Sequence, residues 1–380
     1  MKFTNAFLPI ILSFILHGCA SFEKMNNVYE VGVTANDGNP YETIRVFNKH
    51  FSTYQAYPND KELLSVGLIQ YCAALSLVYR LDDVTQCIKE YGRIAGMPDA
   101  NNIHKSIYYQ MIANRAEVLG DYNAVLKYAR LALQADDKYT PMRPWELLAT
   151  VYARQENYDE VKAYIDKIDS FKIDSLFGMF SLNETEMSRL KRASMTRVYI
   201  EMGDSKKARE ILNRPLANQS MSEIVLKGVI QTMEIYSASL ESVNESVVRN
   251  IYENTESNKP ANNREEIDWG FYDRILQMTM SAKISLQLGA MIQSEKVYMR
   301  LLGEPKFQYQ KPLYLVALSD LAEINYRKNK YKSALKYAKK AIDIVEQAKL
   351  NIYDNSERSM FLRKHEGIYD LADKINTSKK

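Results

Sequence analysis

A chain of 380 residues exceeds one ordinary globular core, so several domains or an open-ended repeat array are expected. Only 14 Gly and 10 Pro punctuate it, which suits helices joined by short turns and argues against a β-rich fold. Its 50 basic and 47 acidic residues are scattered, leaving a net charge of +3 with no polybasic run and no acidic tail, a pattern that excludes a nucleic-acid footprint.

Residues 1–18 read as a secretory signal. Lys2 supplies the positive start, and Ala6 to Leu16 form an apolar stretch too short to span a bilayer as a permanent helix. The residues that follow, Leu16-His17-Gly18-Cys19-Ala20, resemble the lipobox of bacterial lipoproteins. That resemblance implies acylation of Cys19, the thiol that takes the diacylglycerol, and a stable anchor, because more than one acyl chain holds where a single chain is marginal. It also implies the outer membrane, facing the periplasm, since Ala20 stands where an Asp would retain the protein. The alternative is ordinary cleavage after Ala20, giving a soluble periplasmic or secreted product.

From residue 19 to residue 40 there is no apolar period, and Asn36-Asp37-Gly38-Asn39-Pro40 gathers turn formers, so this stretch is expected to be a flexible tether. Helical periodicity begins after it and keeps returning to one punctuation. A helix ends in a short polar turn, and a second helix follows with small residues near its start. The clearest unit starts Trp145-Glu146-Leu147-Leu148-Ala149, continues through Tyr152 and Asn157-Tyr158, and places Val161 and Ile165 on its second helix. Upstream lie Ile112-Ala113, Gly120-Asp121-Tyr122 and Val125. Weaker copies run through Gly203-Asp204-Ser205 and through Gly289, and the last carries Asn329-Lys330-Tyr331, Ala334 and Ala338. These units resemble tetratricopeptide repeats (TPR), with Ala149 in the place of the signature Gly.

The resemblance implies an all-α fold, a TPR-like α-solenoid of about seven helix hairpins in a right-handed superhelix. Residues 41–257 are its N-terminal part, 258–263 a candidate linker, 264–350 its C-terminal part and 351–380 a C-terminal helix and tail. A solitary helix is expected near Tyr41 to Tyr57, an insert around Phe171 to Ser181, and a degenerate pair near Met221 to Ser239 and Val243 to Thr255. Small residues let paired helices approach, and the 27 Tyr mostly fill the wedges between hairpins.

No phosphate loop, zinc-protease motif, nucleophile elbow or Cys-x-x-Cys occurs, so neither catalysis, nor a cofactor, nor a metal is expected. His50, His104 and His365 lie far apart and read as surface or capping residues. Cys72 and Cys87, the thiols other than Cys19, flank the expected turn near Arg80 to Asp82 almost symmetrically. They are either a disulfide across one hairpin or buried free thiols, and helix axes 8–10 Å apart argue for the latter.

TPR arrays bind extended or helical peptides in the groove lined by the first helix of each hairpin. The resemblance places Gln110, Asn114, Glu117, Arg143, Glu146, Thr150 and Arg154 there, as polar groups free to meet a partner. The carboxylate clamp of chaperone-type TPRs is not matched, since Gln110 and Glu146 occupy its positions. The tail from Glu346 to Ala372 faintly resembles helices that precede caspase-like peptidase domains. The expected function is a lipid-anchored envelope scaffold that binds proteins or peptides in a pilus, secretion or polysaccharide-export machine. The alternative is a peptide- or glycan-binding adaptor for an envelope enzyme.

Overall fold

A computed structural model describes residues 31, 34–35, 38–51, 61–138, 140–172, 184–214 and 271–378. Among these the fold is all-α, with fifteen α-helices, one short 3-10 turn and no strand. In chain order we number them α1 (Pro40–Phe51), α2 (Lys61–Leu77), α3 (Leu81–Ala95), α4 (Asn102–Leu119), α5 (Tyr122–Ala135), α6 (Met142–Arg154), α7 (Tyr158–Ser170) and α8 (Glu184–Glu201). The remainder are α9 (Ser205–Leu212), α10 (Phe271–Gln287), α11 (Met291–Gly303), α12 (Lys311–Arg327), α13 (Tyr331–Lys349), α14 (Asn355–Lys364) and α15 (Glu366–Ser378). The signal segment, Cys19, the helices expected between Met221 and Thr255, the linker 258–263 and the insert beyond Lys172 lie outside the described residues.

Twelve of these helices form six hairpins, and one backbone device makes all six turns. Each holds a single residue of positive φ: Tyr79, Gly120, Glu156, Gly203, Gly289 and Asn329 in turn. In each, the next N–H donates to the carbonyl five residues back, as in Asp121 to Ala116, Asp204 to Tyr199 and Lys330 to Asn325. This closure satisfies carbonyls that the ending helix would otherwise leave orphaned. Asp121 and Asp204 then cap the second helix by accepting from the Ala124 and Lys207 amides, each at 3.0 Å.

Small side chains sit where paired helices cross. Ala113 on α4 and Ala129 on α5 are fully buried, as are Ala149 against Val161 and Ala322 against Ala334 and Ala338. Successive hairpins pack in chain order, and the stack continues from α9 directly onto α10, where Ala208, Leu212 and Ile284 form one apolar contact. Ser205 Oγ donates to Gln287 Oε1 at 2.6 Å across the same joint.

The two ends of the array come together. One core cluster contains Phe47 of α1, Leu75 of α2 and Tyr91 of α3, and also Leu318 of α12, Val345 of α13, Phe361 of α14 and Ile375 of α15. Two backbone links accompany it: the Asp82 amide donates to the Asn351 carbonyl at 3.2 Å, and the Tyr353 amide to Asp82 Oδ2 at 2.8 Å. The C-terminal region is thus a helix pair, α14 and α15, laid back onto the first hairpins.

The tether expected to run to Pro40 ends earlier. Val31 is fully buried, Thr34 and Ala35 are helical, and the Gly38 carbonyl accepts from Gln310 Nε2 at 2.8 Å. The turn formers have fixed tasks: Asn39 Oδ1 accepts from the Glu42 amide to start α1, and Gly38 has φ +76 with Phe271 so close that a Cβ would overlap the ring.

Cys72 and Cys87 form a disulfide between α2 and α3, with their Cα atoms 5.7 Å apart. Axis separation misleads here. Each Cα stands about 2.3 Å off its own axis, so atoms facing one another across axes 8–10 Å apart approach to roughly 5 Å. A bond closing a loop of this length stabilises by about 3 kcal/mol in the chain-entropy view.

Candidate functional site

The seven residues expected to line the groove lie on α4 and α6, the first helices of neighbouring hairpins, and the fold brings five of them into contact with one another or with α8. They are not free. Arg143 is the hub: Nε donates to Asn114 Oδ1 at 2.7 Å, Nη1 to Glu146 Oε1 at 2.5 Å and Nη2 to Glu117 Oε2 at 2.6 Å. Arg197, from α8, closes the square by donating to Glu146 Oε1 at 2.9 Å and Glu117 Oε1 at 3.2 Å. Ser194 Oγ adds a bond to Glu146 Oε2 at 2.8 Å. The reason lies in the stacking: the first helices of three successive hairpins meet here, and a lone buried charge would be costly, so opposite charges from different hairpins pair.

Arg154 is spent in the same way. Its Nε donates to Glu201 Oε2 at 2.9 Å, Nη1 donates to the Tyr122 hydroxyl, and the guanidinium lies 4.9 Å from the centre of the Tyr122 ring. Gln110 Nε2 donates to Ser106 Oγ at 3.1 Å and to the Thr140 carbonyl at 3.0 Å, tying α4 to the loop before α6. Thr150 is buried one turn from Glu146 and from Arg154 on α6, and among the described residues its hydroxyl has no hydrogen-bond partner. The expectation of free polar groups is therefore corrected.

Two further contributors come from α14. Lys364 Nζ donates to the Glu117 carbonyl at 2.6 Å and the Val118 carbonyl at 3.2 Å, placing a cation at the C-terminal end of α4, where the helix dipole is negative. Arg115 and Glu357 form a two-pronged pair at 2.7 and 2.6 Å between α4 and α14.

The electrostatics follow from this geometry. Burial pushes the Glu117 carboxyl up, but Arg197, Arg143 and Lys364 together overcome it and hold the group at about 2. Burial draws Lys364 down to about 8, with Glu117 opposing and Arg154 and Arg197 reinforcing the shift. Glu117 and, in the second place, Glu146 raise Arg197 against its burial. Three carboxylates thus face four cations. Water still reaches this deep cluster, for 39% of the Arg197 side chain is accessible. The arrangement can hold a charged or strongly hydrogen-bonding ligand only by exchanging bonds with it.

Sequence reasoning missed Arg197, Ser194, Glu201, Lys364 and the Arg115–Glu357 pair. The first three were within reach, because the degenerate repeat around Met195 and Tyr199 puts them on an inner helix in register with α6. Nothing in the chain's periodicity points to the pair formed by Arg115 and Glu357.

The histidines also differ from expectation. Tyr91 OH lies 2.8 Å from His104 Nδ1, and His365 stacks edgewise on Phe361 with ring centres 4.7 Å apart. Burial, reinforced by Lys364, lowers His365 to about 4. Among the described residues no group of three His, Cys, Asp or Glu could hold a metal ion, and no helix is long and apolar enough to cross a membrane. No family model matches the chain, and no curated protein matches it in sequence.

Proposed function

We propose that the chain is a lipid-anchored envelope scaffold, attached through Cys19, whose TPR-like hairpin array binds other proteins and carries out no chemistry. The observation that bears most weight is the repetition itself: six hairpins share one turn geometry and stack small-residue crossings into a continuous array. Such arrays present one extended inner face, and here that face carries a charge network with water-accessible edges at Arg197 and Arg154. A partner segment with its own charges would replace one or more of these internal bonds, which sets a requirement of charge complementarity on what binds. Pilus, secretion or polysaccharide-export assemblies are the kind of machine in which this layout would serve.

The anchor has its own test. Cells producing the native chain and a Cys19→Ala variant are fed labelled palmitate. The native chain is expected to carry label and to fractionate with the outer membrane, and the variant to carry none. Label retained by the variant would exclude Cys19 as the acyl acceptor.

A further inference from the structure

The second helices of the last two hairpins, α11 and α13, combine exposed cations with exposed apolar side chains. On α13, Lys332, Lys336, Lys339 and Lys340 fall at successive helical turns and are all exposed. On α11, Lys296 and Arg300 are exposed in the same way. The hydroxyl of Tyr337 reaches Met299 Sδ at 3.3 Å, so the two helix surfaces are contiguous. Among the described residues none of these six cations has a carboxylate within ion-pair distance, whereas Lys328 with Glu295 and Lys349 with Glu346 consume two of the nearby acids. The two helices carry seven cations against three carboxylates; of the other second helices, α3 and α7 carry more carboxylates than cations, whereas α5 and α9 are basic with fewer charges, two cations against none and three against one.

Apolar side chains protrude from this same basic face. Ile292 and Met299 on α11 are 60% and 48% exposed. The α13 stripe runs on through Asp343 and Gln347 to Leu350, 72% exposed, with Tyr353 just beyond at 80%. Four of the five most exposed large hydrophobic side chains of the described residues therefore lie on, or just beyond, the two helices that carry these six cations. The stripe from Lys332 to Leu350 extends roughly 27 Å along a straight helix.

We propose that this face rests on an anionic phospholipid bilayer, with the lysines on headgroup phosphates and Ile292, Met299, Leu350 and Tyr353 in the interfacial layer. Charge complementarity commits the surface to an anionic occupant. Isolated protruding apolar side chains suit the headgroup boundary, which accepts them anywhere, better than a protein partner, which would need a matching pocket for each. The inference rests on the proposed anchoring in one respect: Val31, which is buried, lies twelve positions after Cys19, so an acylated chain would hold its folded part within about 40 Å of the bilayer.

The test uses the full chain carrying Cys19→Ala, so no acyl chain contributes and the anchor is assayed apart by palmitate labelling. Every compared protein has the same residues 1–30, and that segment's contribution cancels. Co-sedimentation is measured with vesicles containing phosphatidylglycerol and with pure phosphatidylcholine. Binding should favour the anionic vesicles. Lys332→Gln, Lys336→Gln and Lys339→Gln together should lower the partition coefficient about 100-fold, at about fivefold per lysine near an anionic surface. Ile292→Ser with Leu350→Ser should weaken binding further in the same chain. Should the triple variant misfold, Lys296→Gln with Arg300→Gln provides an independent reading, expected at about 25-fold. A folded charge variant within twofold of its parent on anionic vesicles overturns the proposal. So does salt-sensitive binding to polyglutamate without binding to the vesicles, which would assign the face to an acidic protein.

Discussion

Replacing Glu117 by alanine is expected to destabilise the protein by about 3 kcal/mol, far more than a change at an open groove would cost. Glu117 is the acceptor shared by Arg143 and Arg197, and its carbonyl holds Lys364. Only 13% of its side chain is accessible, so its removal strands two guanidinium groups with no nearby replacement except Glu146. The partial exposure of Arg197 lets that cation recover some hydration, which places the loss toward the lower end of the range for broken buried pairs. Denaturant unfolding measures it directly. Removing Arg143 in the same chain should give less than the sum of the two single losses, because the second substitution takes away a cation that the first had orphaned.

The same residue sets a pH dependence. The folded-state carboxyl sits at about 2, below the ordinary value of about 4.3, so it is a depressed acid. Its stabilisation is fully present above about pH 4.3 and is lost as pH falls toward 2. The Glu117→Ala chain should accordingly show a shallower fall in stability across that acid window than the parent.

Phe361→Ala is expected to cost about 3–5 kcal/mol, the range for truncating a buried aromatic side chain. Phe361 is the one fully buried side chain of α14, and its ring meets Tyr79 edge-on with centres 5.6 Å apart. Tyr79 is the positive-φ residue of the first hairpin turn, so this contact joins the last part of the fold to the first. Without it, α14 keeps the partly buried Leu362 and its polar links to α4. Far-UV dichroism should change little, because the six hairpins remain, while limited proteolysis should newly cut between Leu350 and Glu366.

The reach of the sequence is easiest to see at the turns. Gly120-Asp121 and Gly203-Asp204 announce a left-handed residue followed by a helix cap, and both act so. Tyr79 and Glu156 take the same conformation with no glycine, so only the flanking periodicity marks those two turns. At the inner face, the pattern identifies which side of α4 and α6 is polar, yet it cannot say that Arg143 of one repeat will be met by Glu117 of another and Arg197 of a third. Pairing between repeats is a property of the stack. The turn formers of residues 36–40 misled in the opposite direction, because capping and loosely extended segments use the same residue types, and a single apolar Val31 leaves no period to detect. The lysines of α13 are plain at helical spacing, but their union with Lys296 and Arg300 appears only once α11 lies beside α13.

The closure of the array by its own C-terminal helix is the claim on which the rest depends, and the Arg115–Glu357 pair tests it most directly. These residues are separated by 242 positions and meet only if α14 lies on α4. Stability is to be measured for Arg115→Glu, Glu357→Arg and the double exchange. Each single exchange sets like charges together and should cost about 2–3 kcal/mol. The double exchange restores the attraction, although the bond from Arg115 Nε to the Leu81 carbonyl is lost, so more than half of the summed cost should return. Losses that simply add, within about 0.5 kcal/mol, would mean that the two side chains do not touch and that the array is open at this end.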